Sequence, residues 1–324
     1  MQRNIFKKRV NLKPYEYPEL MEYVDAIRHS YWLHTEFNYS SDIQDLKVNL
    51  SSEEAAIVKK AMLAIAQIEV NVKTFWSKIY DWFPKPEFQA IAVTFGESEV
   101  RHTDAYSNLL ELAGLHHEFE ALMDEPAIAR RIEYFNKMDR IIKDEEDFFR
   151  KAVLFSMFIE NVSLFSQFLI MMSFNKYRNA LKGISNAVEA TSKEEDIHAR
   201  FGFEIVNLIK EENPQWWTKE TQAQLYADTQ ESYEAEMGII DWIYNGSDLD
   251  FLPKQVVKEF VADRFNQSLK AIGLEPMFPT DTEALKHTAW FVEETLSTKN
   301  IDFFVKRSVA YSKKLQSFTE DDLF

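Results

Sequence analysis

Two of the seven histidines follow a glutamate by three residues, in Glu99-Val-Arg-His102 and Glu195-Asp-Ile-His198. On a helix, positions i and i+3 share a face, so each pair can offer a carboxylate oxygen and an imidazole nitrogen to one ion. With 53 acidic residues in 324, about one such pair among seven histidines arises by chance, so the pairs alone carry little. What precedes them carries more. Glu69 is the only acid in Ala61–Val72 (AMLAIAQIEVNV), and Glu160 is the only charge in Ala152–Phe174 (AVLFSMFIENVSLFSQFLIMMSF). A carboxylate inside an apolar helix must be protonated, paired with a base or bound to a metal.

The order then repeats. A lone Glu on an apolar helix is followed by a Glu-x-x-His pair, 30 residues later from Glu69 to Glu99 and 35 later from Glu160 to Glu195. Folded as an antiparallel four-helix bundle, the six side chains can meet at one level of the core. Four carboxylates and two imidazoles suit two divalent or trivalent first-row ions. This is the pattern of ferritin-like di-iron and di-manganese carboxylate proteins. Glu97 and Glu194 fall off the ligand face and are read as supporting or surface acids. Asp25 with His29 and Glu283 with His287 lack apolar Glu partners and read as surface pairs.

The elements that must position these residues are long helices. A capping box, Ser51 with Glu54, opens a helix expected to run to about Phe83, before Pro84 and Pro86. Further helices are expected at 87–112 with Gly114 as the stop, 127–143, 145–180, 183–212, 217–244, 254–272 and 282–298. No segment alternates with period two, so no sheet is expected. Only 7 Gly and 9 Pro punctuate the chain, about 5 % against roughly 12 % in an average protein. The expected fold is all-α, a ferritin-like four-helix di-metal bundle enlarged by additional helices. The segment around Glu160 is long enough to cross a membrane. A mid-bilayer carboxylate costs about 3 kcal/mol, and Asn161, Gln167 and four serines add to that, so it reads as the innermost helix of the bundle.

The chain has no cysteine, which excludes disulfides, thiol nucleophiles, iron–sulfur clusters and thiolate zinc sites. Its formal net charge of −16 disfavours binding a phosphate backbone. The basic start, MQRNIFKKRV, is not followed by an apolar stretch, so a cytoplasmic location is expected.

Outside the cage, Tyr106 lies four residues after His102, on the same helix face. Trp32 lies in Tyr-Trp-Leu-His-Thr-Glu36. The chain closes on Tyr311 and an acidic, aromatic tail ending at Phe324. With these residues in order, and with the Phe303-Phe304-Val-Lys-Arg-Ser-Val-Ala-Tyr311 segment, the sequence resembles the small, radical-generating subunit of class I ribonucleotide reductase. The resemblance runs from Trp32 to Phe324. It implies that Glu69, Glu99, His102, Glu160, Glu195 and His198 bind a dinuclear metal centre and that Tyr106 occupies the place of the radical tyrosine. It implies that Trp32 and Tyr311 carry an oxidising equivalent to the large subunit, and that Glu36 assists at that interface. It further implies one helical domain over 1–308, a flexible tail over 309–324 whose Phe318–Phe324 docks on the large subunit, and a homodimer.

Two residues depart from the common di-iron pattern. Glu69 stands where those members have Asp, and Glu is found there in manganese-using and related oxidase branches. Glu194 replaces an Asp that links the tryptophan to a ligand histidine. The expectation is therefore a di-manganese centre, followed by manganese–iron and then di-iron, with the oxidant stored on the metals. The alternatives are a ferritin-like storage protein and a ferritin-like di-metal oxidase that works without a large subunit. Because ribose reduction in this family uses cysteine thiols, a chain without cysteine needs a thiol-bearing partner.

Overall fold

The computed structural model describes residues 3–70, 73–138 and 142–295. Among them there is no strand. Eight helices build the body: α1 Met21–His29, α2 Ser52–Glu69, α3 Pro86–Ala113, α4 Pro126–Met138, α5 Glu145–Arg178, α6 Lys182–Glu212, α7 Lys219–Tyr244 and α8 Lys254–Ala271. Helices α2, α3, α6 and α5 pack in a closed ring of four. Outside it, α1 lies on α3 and α6, while α7 packs on α2, α4 and α8. Tyr311 and Phe318–Phe324 lie outside the described residues, as does the expected tail, 309–324.

The sequence signals at the helix ends are used. Ser51 Oγ accepts the Glu54 backbone N–H at 3.2 Å, and the Glu54 carboxylate accepts the Ser51 N–H at 2.9 Å, closing the capping box. Helix α3 stops at Gly114, whose φ of 70° is left-handed. The apolar helix around Glu160 is core: 94 % of its most apolar window is buried.

Three expected helices differ. The one over 51–83 is seen, within the described residues, as Ser52–Glu69 and two short pieces, Lys73–Ser77 and Ile79–Trp82. The helix over 282–298 is split into Thr282–Lys286 and Ala289–Thr295 within the described residues. Most consequential, α5 is α-helical over Glu145–Leu154 and Phe165–Arg178 but widens into a π-helix over Phe155–Ser163, with Glu160 inside it.

A π turn displaces carbonyls from their usual donors, and here side chains supply replacements. Ser268 Oγ donates to Met157 O at 3.0 Å and Ser163 Oγ to Phe158 O at 2.9 Å. The buried Arg264 guanidinium donates to Asn161 O and, at 2.6 Å, to Asn161 Oδ1, while it stacks over Phe165 at 3.5 Å. Burial pulls its pKa down to about 9, with Asp196 opposing, so the guanidinium is still charged at neutral pH.

Gly202 of α6 sits against this π segment. A Cβ there would lie 2.2 Å from Ser156 Oγ and 2.6 Å from Ser156 Cβ. Since Gly202 is one turn after His198 and Ser156 one turn before Glu160, the missing side chain sets how closely the two residues approach. Gly202→Ala is expected to force α6 and the π segment apart and to destabilise the fold by about 1–3 kcal/mol, the usual range for overpacking. Denaturant unfolding measures this; an unchanged midpoint would show that the contact is not tight.

Candidate metal centre

The helical ring places six side chains at its centre. Glu69 is the last residue of α2, Glu99 and His102 project from α3, Glu160 from the π segment, and Glu195 and His198 from α6. All six are buried. Two overlapping groups form. Ligand atoms of Glu69, Glu99 and His102 lie within 4.8 Å of one another, as do those of Glu99, Glu160, Glu195 and His198. Glu99 belongs to both, so its carboxylate lies between the two groups.

Both histidines turn Nδ1 inward. His102 Nδ1 lies 3.5 Å from Glu99 Oε2 and 2.8 Å from Glu195 Oε1. His198 Nδ1 lies 3.1 Å from Glu99 Oε1, 3.4 Å from Glu195 Oε2 and 3.6 Å from Glu160 Oε2. Glu99 and Glu195 thus each offer one oxygen to either side, the geometry of a bridging carboxylate. Neither oxygen of Glu69, Glu99 or Glu195 makes a hydrogen bond; nor do Glu160 Oε2 and the two inward nitrogens. Buried polar atoms are almost always partnered. A concentrated set of orphans made of carboxylate oxygens and imidazole nitrogens fits first-row metal ions.

The protonation pattern follows from crowding. Burial, and then the neighbouring carboxylates, push Glu69 and Glu160 well above the usual range. Burial opposes charge on the imidazoles, yet the Glu194, Glu195 and Glu99 carboxylates beside it raise His102, and those of Glu160, Glu195 and Glu99 raise His198. Burial likewise opposes the charge on Glu195, but both imidazoles outweigh it and hold its carboxyl below the usual range.

The outward ring nitrogens are held by residues of the opposite half. His102 Nε2 is 2.8 Å from Glu194 Oε2, and His198 Nε2 is 3.0 Å from Ser98 Oγ. Ser98 and Glu194 each immediately precede the glutamate of their own Glu-x-x-His. Each half-motif therefore orients the other half's histidine, which fixes the ring and its tautomer. Glu194 is anchored by Arg101, with contacts of 3.1–3.2 Å, and by Ser30 Oγ at 2.8 Å. The supporting role read for Glu194 matches this position; Glu97 is half-exposed and accepts from Arg101 Nε at 2.9 Å.

Trp32 is buried and stacks on His102, with ring centroids 5.8 Å apart and planes 15° from parallel. Its indole Nε1 has no partner, so Glu194 reaches the histidine without reaching the tryptophan. Tyr106 is buried on α3 with an unpartnered hydroxyl. Burial, and next the charge of Glu69, push its phenol well above the usual value. Glu36 is exposed and its carboxylate accepts the Leu33 N–H at 2.9 Å. The surface acid/His pairs stay outside the cluster: His29 Nδ1 meets Asp25 O at 2.6 Å, and Glu283 pairs with Lys286 at 2.7 Å. Ser98, Arg101, Arg264 and Trp76 were not singled out by sequence. Trp76 Nε1 donates to Glu160 Oε1 at 2.9 Å.

A model of the family described as ribonucleotide reductase, small chain, matches residues 9–285. The chain belongs to the ribonucleotide reductase small-chain family. It is thus an oxidoreductase subunit, one that works with a large subunit. The ribonucleoside-diphosphate reductase subunit beta of Chlamydia pneumoniae is 23 % identical over 301 residues, 86 % of this chain and 83 % of that one. The ribonucleotide reductase R2 subunit from Clostridium botulinum superposes with a TM-score of 0.76 at 16 % identity, over 86 % of this chain and 89 % of that one. Streptococcus sanguinis dimanganese(II)-NrdF gives 0.75 at 17 % identity, over 90 % and 100 %. These small-chain structures share the ferritin-like helical fold.

Because several of the six residues hold protons when no metal is bound, metal loading must displace them. Isothermal titration in buffers of different ionisation enthalpy is expected to show proton release, and apparent affinity should weaken as pH falls. Binding that is independent of pH and releases no protons would contradict this protonation pattern.

Proposed function

We propose that Glu69, Glu99, His102, Glu160, Glu195 and His198 hold two metal ions, and that this small chain passes an oxidising equivalent from them to a large subunit that reduces ribonucleoside diphosphates. The observation that carries the reading is the shared Glu99 within a buried set of unpartnered ligand atoms. When bound, the metal pair supplies a one-electron oxidant. The residues supply its environment. Four carboxylates offset the positive charge, Glu194 and Ser98 hold the imidazoles in place, and Phe95, Phe155 and Phe201 form an apolar wall around the Glu160 side that keeps water out. Trp32, stacked on His102, offers an aromatic contact from the centre towards the surface.

In this reading the metals are manganese, di-manganese ahead of manganese–iron, and Tyr106 stays silent while the metals store the oxidant. Glu69 in the first ligand position supports this, as does the fold shared with a dimanganese(II) protein. Tyr311 continues the route from Trp32, Glu36 contributes at the interface, and Phe318–Phe324, within the 309–324 tail following a 1–308 domain, docks on the large subunit. The chain acts as a cytoplasmic homodimer. An oxidase acting without a large subunit is the weaker reading, since the family match is to the reductase small chain.

Electron paramagnetic resonance of the active protein tests the cofactor: manganese hyperfine structure without a tyrosyl signal is expected, and Tyr106→Phe should keep its activity. A tyrosyl signal beside a di-iron centre would end the manganese reading. Tyr311→Phe should abolish turnover at unchanged metal content, and deletion of residues 318–324 should weaken binding to the large subunit. Full activity of Tyr311→Phe would refute the route, and unaltered affinity would refute the docking role of the tail.

A further inference from the structure

The two lone glutamates are not equivalent. Both oxygens of Glu69 lack a hydrogen-bond partner, whereas only Oε2 of Glu160 does. Glu160 Oε1 accepts the indole N–H of Trp76 at 2.9 Å. Trp76 comes from the short helix Lys73–Ser77, outside the four helices that carry the six residues. We propose that Trp76 is a positioning residue that holds Glu160 to a single-oxygen contact with its ion, through Oε2, while Glu69 is free to offer both oxygens.

The indole is fixed from several sides. Phe75, Phe95, Phe155 and Phe201 meet it edge-on or near edge-on at centroid distances of 5.0–5.5 Å. Its ring lies 5.9 Å from His198. A side chain packed this way cannot swing away without opening a void. For Glu160 to use both oxygens on one ion, Oε1 would have to rotate off the indole and leave a buried N–H unpaired. A bond to a charged acceptor is stronger than one between neutral groups, and stranding its donor adds a desolvation cost. Oε2 already points inward, 3.6 Å from His198 Nδ1. The sides of the centre therefore differ through a residue that touches no ion: the Glu160 side keeps a place that a second carboxylate oxygen would fill, and the Glu69 side does not. Glu160 also sits in the π segment, whose backbone is held by Arg264, Ser163 and Ser268. Backbone and carboxylate are thus both restrained, which makes the indole bond the feature that selects the carboxylate's orientation.

The inference rests on the six-residue metal centre proposed above. The test is a crystal structure of the Mn(II)-loaded protein beside one in which residue 76 is replaced by benzothienylalanine, which keeps the shape of tryptophan and lacks its N–H. Trp76→Phe serves as a second variant, and the unfolding midpoint of each metal-free protein reports on the fold. In the unaltered protein one Glu160 oxygen should lie at bonding distance from manganese. In the variants Glu160 should shift to two, with the metal-free benzothienylalanine protein still unfolding cooperatively from a folded state, its midpoint lowered only by the lost hydrogen bond. Two bonded oxygens in the unaltered protein, or one in every variant, would overturn the tether while leaving the metal centre intact. No manganese at these residues would overturn the centre itself and the tether with it.

Discussion

Four carboxylates enclosed in an apolar helical core need compensating positive charge, and the rest of this structure is arranged around that requirement. At an effective dielectric constant near 20, two like charges 4 Å apart repel by about 4 kcal/mol, and here several such pairs share one small volume. Two ways of relieving the repulsion are open. Protons can neutralise Glu69 and Glu160 and charge the two imidazoles, which is the direction in which burial and proximity push them. Alternatively, two metal ions can replace the protons. Either way the compensating charge is enclosed by helices whose packing buries all six side chains.

That fold has the site's near two-fold repetition built into its contacts. Glu194 supports the histidine of the first half and Ser98 that of the second, so neither half-motif can be oriented alone. The halves are not identical, however. Glu194 is a carboxylate backed by the buried Arg101, whereas Ser98 offers a hydroxyl that also donates to Phe95 O. Trp32 stacks on the histidine that faces Glu194, and Trp76 packs near the other. Trp32 thus meets the centre through the face of the His102 ring, and its N–H has no hydrogen-bond partner.

Much of this was legible in the sequence because the governing patterns are one-dimensional. Helix periodicity, the Ser51 cap, the Gly114 stop and the duplicated Glu…Glu-x-x-His order identify the bundle and bring six residues to one place. The rest depends on backbone geometry that no short pattern encodes. Nothing in the sequence of Phe155–Ser163 (FSMFIENVS) separates a π from an α turn, and the donors Ser163, Ser268 and Arg264 show that its carbonyls are displaced. Nothing in the sequence near Lys73–Ser77 marks Trp76 as a partner of Glu160. Ser98 could have been found by noting that it occupies the same place in its motif as Glu194. Tyr311 and the tail lie outside the described residues, and their roles stand on the family resemblance.

Six residues from four helices are proposed to hold two ions around a shared glutamate, Glu99. Anomalous diffraction from manganese-loaded crystals tests this most directly. Two manganese peaks are expected on either side of Glu99, one against Glu69 and His102 and the other against Glu160 and His198, with Glu195 within reach of both. A single peak, or manganese bound away from these residues, would contradict it.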